Sequence, residues 1–94
     1  MFNSVTLVGV VVLDPVIQYY ESGSVRAELS MSVSRNDDSY IVDLEVWGKE
    51  AQRASDYIRK TTLIGIIGSF IGTKDARTKI RVDRLEILSE GKNP

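Results

Sequence analysis

Apolar and polar residues alternate along most of this chain, and the phase of the alternation predicts strands. In Asn3 to Leu13, Val5, Leu7, Gly9, Val11 and Leu13 share one face, and Thr6, Val8, Val10 and Val12 share the other. Both faces are apolar, which is the pattern of a strand covered on both sides. In a small barrel the inner face is core, so the outer face, Val8, Val10 and Val12, is expected to meet most simply a second subunit, the alternative being a helix of the same chain. Asp14-Pro15 breaks the strand, because proline cannot donate to a ladder and restricts its neighbour. Val16 to Tyr20 is extended again, and Glu21-Ser22-Gly23-Ser24 is a turn.

Val25 to Arg35 is the second long strand, with Ala27, Leu29, Met31 and Val33 inward and Arg26, Glu28, Ser30, Ser32 and Ser34 outward. After the turn Asn36 to Ser39, Tyr40 to Trp47 is the third. It places Val42, Leu44 and Val46 on one face, and Ile41, Asp43, Glu45 and the chain's one tryptophan, Trp47, on the other. Lys49 to Lys60 reads as a helix, with Ala51, Ala54, Tyr57 and Ile58 at helical spacing and Arg59-Lys60 at the end favoured by the helix dipole. Leu63 to Ile71 is the fourth strand, and its Gly65 and Gly68 predict bends or bulges. A hairpin connection, Thr73 to Thr78, leads to the fifth strand, Lys79 to Leu88. There the apolar phase slips from Ile80 and Val82 to Leu85 and Ile87, which predicts a β-bulge near Asp83-Arg84.

The order is β-β-β-α-β-β. The expected fold is therefore all-β with one helix, a five-stranded OB-fold Greek-key barrel with the helix between strands three and four. Residues 1–90 form one domain and 91–94 a short polar tail. Strands two and three form the usual oligonucleotide face of that barrel, and they carry Ser30, Ser32, Ser34 and Trp47 outward.

Composition narrows the chemistry. The chain has no histidine and no cysteine, which removes the common general base, the thiolate zinc site and the paired nucleophiles. No enzyme activity, cofactor, metal or small-molecule substrate is expected. Gly68 to Lys74 has the wrong spacing for a phosphate loop, and Asp37, Asp38, Asp43 and Glu45 do not match a calcium loop. The apolar run Leu7 to Leu13 is too short to span a bilayer, and no secretory signal is visible. No membrane association is expected. The net charge of −1 speaks against strong phosphate binding without excluding a local basic patch. Trp47, on a polar strand face two residues before Lys49, is suited to stacking on a base. Tyr40 is a second stacking candidate, while Tyr19 and Tyr20 are expected to serve packing or subunit contacts.

Taken together, NSVTLVG at 3–9, DPVIQYYESGSV at 14–25, VDLEVWGKEAQRASDYIRK at 42–60, LIGIIGSF at 63–70 and IRVDRLEIL at 80–88 resemble the bacterial-type single-stranded DNA-binding proteins, cyanobacterial and plastid forms above all. The resemblance implies an OB fold, sequence-independent binding of single-stranded DNA, and homo-oligomers, dimer or tetramer, with the first strand at the contact. It implies roles in replication, repair and recombination, in the bacterial cytoplasm or the plastid stroma. Residue by residue, Trp47 stands at a stacking aromatic, and Lys49, Lys60 and Lys74 stand at basic positions that meet phosphates; Arg35 extends that track. Ile41 and Asp75 stand where stacking aromatics are usual, Asp43 where a basic or neutral residue is common, and Ile71 to Thr73 replace an often basic stretch. The family's acidic, Phe-ending tail is expected to be absent through Pro94. Binding is therefore expected to be weaker than is typical. The alternative is an OB-fold interaction or accessory subunit that has largely lost DNA binding.

Overall fold

The structure, a computed structural model, describes residues 2–90; the expected tail at 91–94 lies outside them. Six strands and one helix run β1 (Val5–Val11), β2 (Val16–Tyr19), β3 (Val25–Arg35), β4 (Asp38–Trp47), α1 (Gly48–Tyr57), β5 (Leu63–Lys74) and β6 (Arg77–Ser89). The sheet order is β1-β5-β6-β4-β3-β2, and a pairing of β1 with β3 closes five of the strands into a barrel. Val16–Tyr19 is a strand additional to the five of the barrel, an edge strand paired to β3, so by count the helix follows the fourth strand.

The predicted phases hold inside the barrel. Val11, Ala27, Leu29, Met31, Val42, Leu44, Val46, Ile64, Ile66, Ile80, Val82 and Leu85 form the core, and Ala51, Ala54 and Ile58 plug it. Closure requires backbones to pass closely where β1 crosses β3 and where β5 bends. A Cβ on Gly9 would overlap the Ser32 carbonyl oxygen, and one on Gly68 would overlap that of Arg81. The register skips Asp83, pairing Ile67 with Arg84 and Gly68 with Val82. This is the bulge that the phase slip predicts. Gly68 sits at that irregularity, whereas Gly65 lies in regular ladder.

Four expectations are corrected. β1 ends at Val11 rather than Leu13, because Val11 exchanges backbone hydrogen bonds with Thr61 and Thr62 where the chain enters β5, and Leu13 is left exposed. The helix ends at Tyr57, where the Ile58 N–H still reaches Ala54 but the chain is extended. Arg59-Lys60 thus lie beyond it, and Tyr57 faces solvent. Both long hairpins turn more tightly than expected. Arg35 pairs with Asp38 around Asn36-Asp37, and Lys74 with Arg77 around Asp75-Ala76. Asp75 and Ala76 both have positive φ, as a type I′ hairpin turn requires.

Helix α1 is fastened to β6 by charge. The Leu85 N–H donates to Glu50 at 2.8 Å, and Arg53 donates to the Leu85 carbonyl at 2.9 Å and to Glu50 at 3.0 Å. At the other end of the barrel the Asn3 side chain accepts from the Phe70 N–H at 2.8 Å and donates to its carbonyl at 2.9 Å, imitating a further ladder residue.

Candidate nucleic-acid interface

The outer face of β3, β4 and β6 gathers most of the polar chemistry. Counting from the two-residue turn sets Arg26 opposite Trp47, Glu28 opposite Glu45, Ser30 opposite Asp43 and Ser32 opposite Ile41. On the other flank β6 runs parallel to β4 and brings Lys79 beside Asp43 and Arg81 beside Glu45. Trp47 is the last residue of β4 and the cap position of α1. Its ring stacks on Tyr20, with centroids 5.7 Å apart and planes inclined by 23°. The guanidinium groups of Arg26 and Arg81 lie 5.8 and 5.9 Å from its centroid, within the range where a cation is attracted to an indole face. The indole N–H donates to Glu45.

Beside this aromatic cluster the charges are paired. Arg26 bridges Glu28 and lies 3.6 Å from Glu45; Lys79 lies 3.3 Å from Glu28 and 3.9 Å from Glu45. Asp43 accepts from Ser30 at 2.9 Å and pairs with Arg77 at 3.4 Å. Two like charges directly opposite on a sheet repel, and here the two cations offset the Glu28–Glu45 pair. Burial disfavours the charged form of Glu28, but the hydrogen bond from Lys79 and the charges of Arg26 and Lys79 outweigh it and hold the carboxyl below its usual range. Among the described residues no group of three or more His, Cys, Asp or Glu is placed to hold a metal ion, and no helix is long and apolar enough to cross a membrane.

The sequence-predicted residues do not form one cluster. Trp47 and Lys49 are neighbours at the β4–α1 junction, and Lys49 is exposed. Tyr40 and Arg35 are exposed near the far tip of the β3–β4 hairpin. Seven residue-to-residue steps of strand separate Tyr40 from Trp47, about 23 Å. Lys60 lies in the loop after α1, where its backbone N–H is held by Asp14 at 2.7 Å. Lys74 closes β5 opposite Arg77. Arg26, Arg81 and the role of Tyr20 were not foreseen. Arg26 could have been found by counting across the hairpin. Arg81 reaches Trp47 through a long-range parallel pairing that leaves no local signal. Tyr20 does pack, as expected, but on the candidate base-stacking residue itself.

Val8 and Val10 are exposed on the outer side of β1, continuous with Ile67 and Leu88 on β5 and β6. Val12 lies past the strand and is half-buried.

Residues 2–88 match the single-strand binding protein family. The chain is 43% identical to the single-stranded DNA-binding protein of Thermosynechococcus vestitus, over 93% of this chain and 82% of that one. It is 44% identical to single-stranded DNA-binding protein 1 of a Nostoc species, over 92% and 82%. The crystal structure of the wild-type single-stranded DNA binding protein from Thermus aquaticus superposes with a TM-score of 0.82 at 25% identity, covering 99% of this chain but 43% of that one. The barrel, its helix plug and the matched span together place the chain: it belongs to the single-strand binding protein family.

Proposed function

We propose that this chain binds single-stranded DNA without reading its sequence, bases stacking at the Trp47–Tyr20 pair and phosphates meeting cations around it. The observation that carries this is the aromatic pair on an outward strand face, flanked by two guanidinium groups. Stacking contributes about 1–3 kcal/mol per base and tolerates any base, because every base has a π-face. Affinity is set below the family's usual level by Ile41 and Asp75, which cannot stack, and by the carboxylates that already hold Arg26, Lys79 and Arg77. The exposed apolar face at Val8 and Val10 supports a homo-oligomer, dimer or tetramer, with Val12 at its margin. The cyanobacterial relatives support a place in the bacterial cytoplasm, in replication, repair and recombination.

The test is a titration with oligo-dT at two salt concentrations, read by Trp47 fluorescence. Quenching and an affinity that falls with salt are expected. Absence of quenching, and of a gel shift at low salt, overturns the reading. The second reading, an accessory subunit that has largely given up DNA, is favoured by the same ion pairs; it predicts a stable oligomer with negligible oligo-dT affinity.

A further inference from the structure

Glu28 and Glu45 face each other across the β3–β4 ladder, and the same two cations, Arg26 and Lys79, hold both. The arrangement is continuous with the aromatic cluster, since Arg26 lies over the Trp47 ring and the Trp47 N–H is bonded to Glu45. We propose that Glu28 and Glu45 are built-in competitors of the DNA backbone: they occupy Arg26 and Lys79 as phosphate would, and so set how tightly this face binds a single strand. The inference rests on the single-strand reading above and adds the residues that tune it.

The competition follows from charge and geometry. A phosphate oxygen and a carboxylate oxygen are interchangeable acceptors for a guanidinium or an ammonium group. A strand that recruits Arg26 and Lys79 must take them from the carboxylates, so part of the favourable contact is cancelled. Among the described residues Arg26 and Lys79 are the cations paired with Glu28, and Asp14, Asp43, Asp75 and Arg77 line the same cleft beside it. On β3 it has Arg26, on β4 Glu45 with Asp43 next along the same face, and on β6 Lys79 with Arg81 next along. β2 places Val16 opposite it, and Gln18 accepts from Arg26 at 3.1 Å. Asp43 has its own cation in Arg77. When DNA draws Arg26 and Lys79 away, Glu28 stands opposite Glu45 without compensation, and the charged form is disfavoured. Glu28 then takes up a proton as DNA binds. By linkage, binding strengthens as pH falls toward the carboxylate range, the free protein having bound fewer protons than the complex.

The experiment compares wild type, E28Q, E28Q/E45Q and a control of equal charge change on other faces, D56N/E86Q, each checked by near-ultraviolet circular dichroism. Labelled oligo-dT is used because thymine does not titrate in this range. E28Q/E45Q is expected to bind roughly tenfold tighter than the control at about 50 mM salt. The slope of log K against log salt should steepen by about 1.4, since each recruited cation adds about 0.7. E28Q alone is expected to give about half that change, and it serves if the double variant does not fold. Wild-type affinity is expected to rise from about pH 8 to about pH 5.5, and the rise to vanish in E28Q/E45Q. Binding no tighter than the control, with an unchanged slope, overturns the competition and leaves the single-strand reading standing. No binding by any variant overturns both. Binding by E28Q/E45Q alone supports the competition and means that the carboxylates close the wild-type face.

Discussion

The Trp47 indole stacks on Tyr20 with ring centroids 5.7 Å apart, which ties the end of β4 to the end of the edge strand β2. Because Trp47 is the chain's one tryptophan, its emission reports this contact directly. Tyr20→Ala is expected to shift the emission to the red and to cost about 0.5–1.5 kcal/mol of stability. Trp47→Ala is expected to weaken oligo-dT binding by about 1–3 kcal/mol, read by anisotropy of a labelled oligonucleotide. An unchanged emission spectrum in the Tyr20 variant would show that the rings are not in contact.

The proposed assembly is tested at Val10, which lies on the outer side of β1 between Leu63 and Ser32. Val10→Lys puts a charge in the centre of the apolar face and is expected to give monomers in analytical ultracentrifugation while leaving the barrel folded. A monomeric wild type at the same concentration refutes the assembly.

Glu50 carries the attachment of α1, because it accepts the N–H of fully buried Leu85. Glu50→Ala leaves that donor without its partner and is expected to destabilise the fold by about 1–3 kcal/mol. Glu50→Gln retains an acceptor and is expected to recover most of the loss. Urea denaturation of the three proteins decides it, and equal midpoints would contradict the role assigned.

Gly68 and Gly65 make a contrast within one strand. A Cβ on Gly68 meets the backbone of β6, which cannot move aside cheaply, whereas one on Gly65 meets only side-chain atoms and a carbonyl at ordinary contact distance. Gly68→Ala is expected to cost about 3 kcal/mol or more. Gly65→Ala is expected to stay within about 1 kcal/mol. Chemical denaturation of both variants measures the difference, and similar losses would mean that the bend at Gly68 does not depend on the missing side chain.

The barrel was legible because its signals are local. Two-residue alternation fixes which side of each strand is buried, and the slip between Val82 and Leu85 marks the residue the ladder leaves out. The helix end was less legible. Tyr57 has the spacing of a core position, but the backbone leaves the helix at Ile58, which turns the tyrosine to solvent. The candidate site was legible only in Trp47 and Lys49. Its remaining members, Tyr20, Arg26 and Arg81, come from just past β2, from the start of β3 and from within β6, and their position beside the indole depends on strand pairings rather than on neighbouring sequence. The neutralising carboxylates were visible as acidic residues near Trp47, but their sharing of two cations emerges only from the parallel register of β4 with β6.

The Asn3 side chain clasps Phe70 one residue before β5 loses register at Ile71. Asn3 thus holds the β5–β6 hairpin at the base of its outer part, five residues before the turn at Asp75-Ala76. Asn3→Ala, which removes both hydrogen bonds to Phe70, is expected to loosen that outer part of the hairpin. A side chain outside every strand therefore acts as a lever on a hairpin sixty-seven residues along the chain.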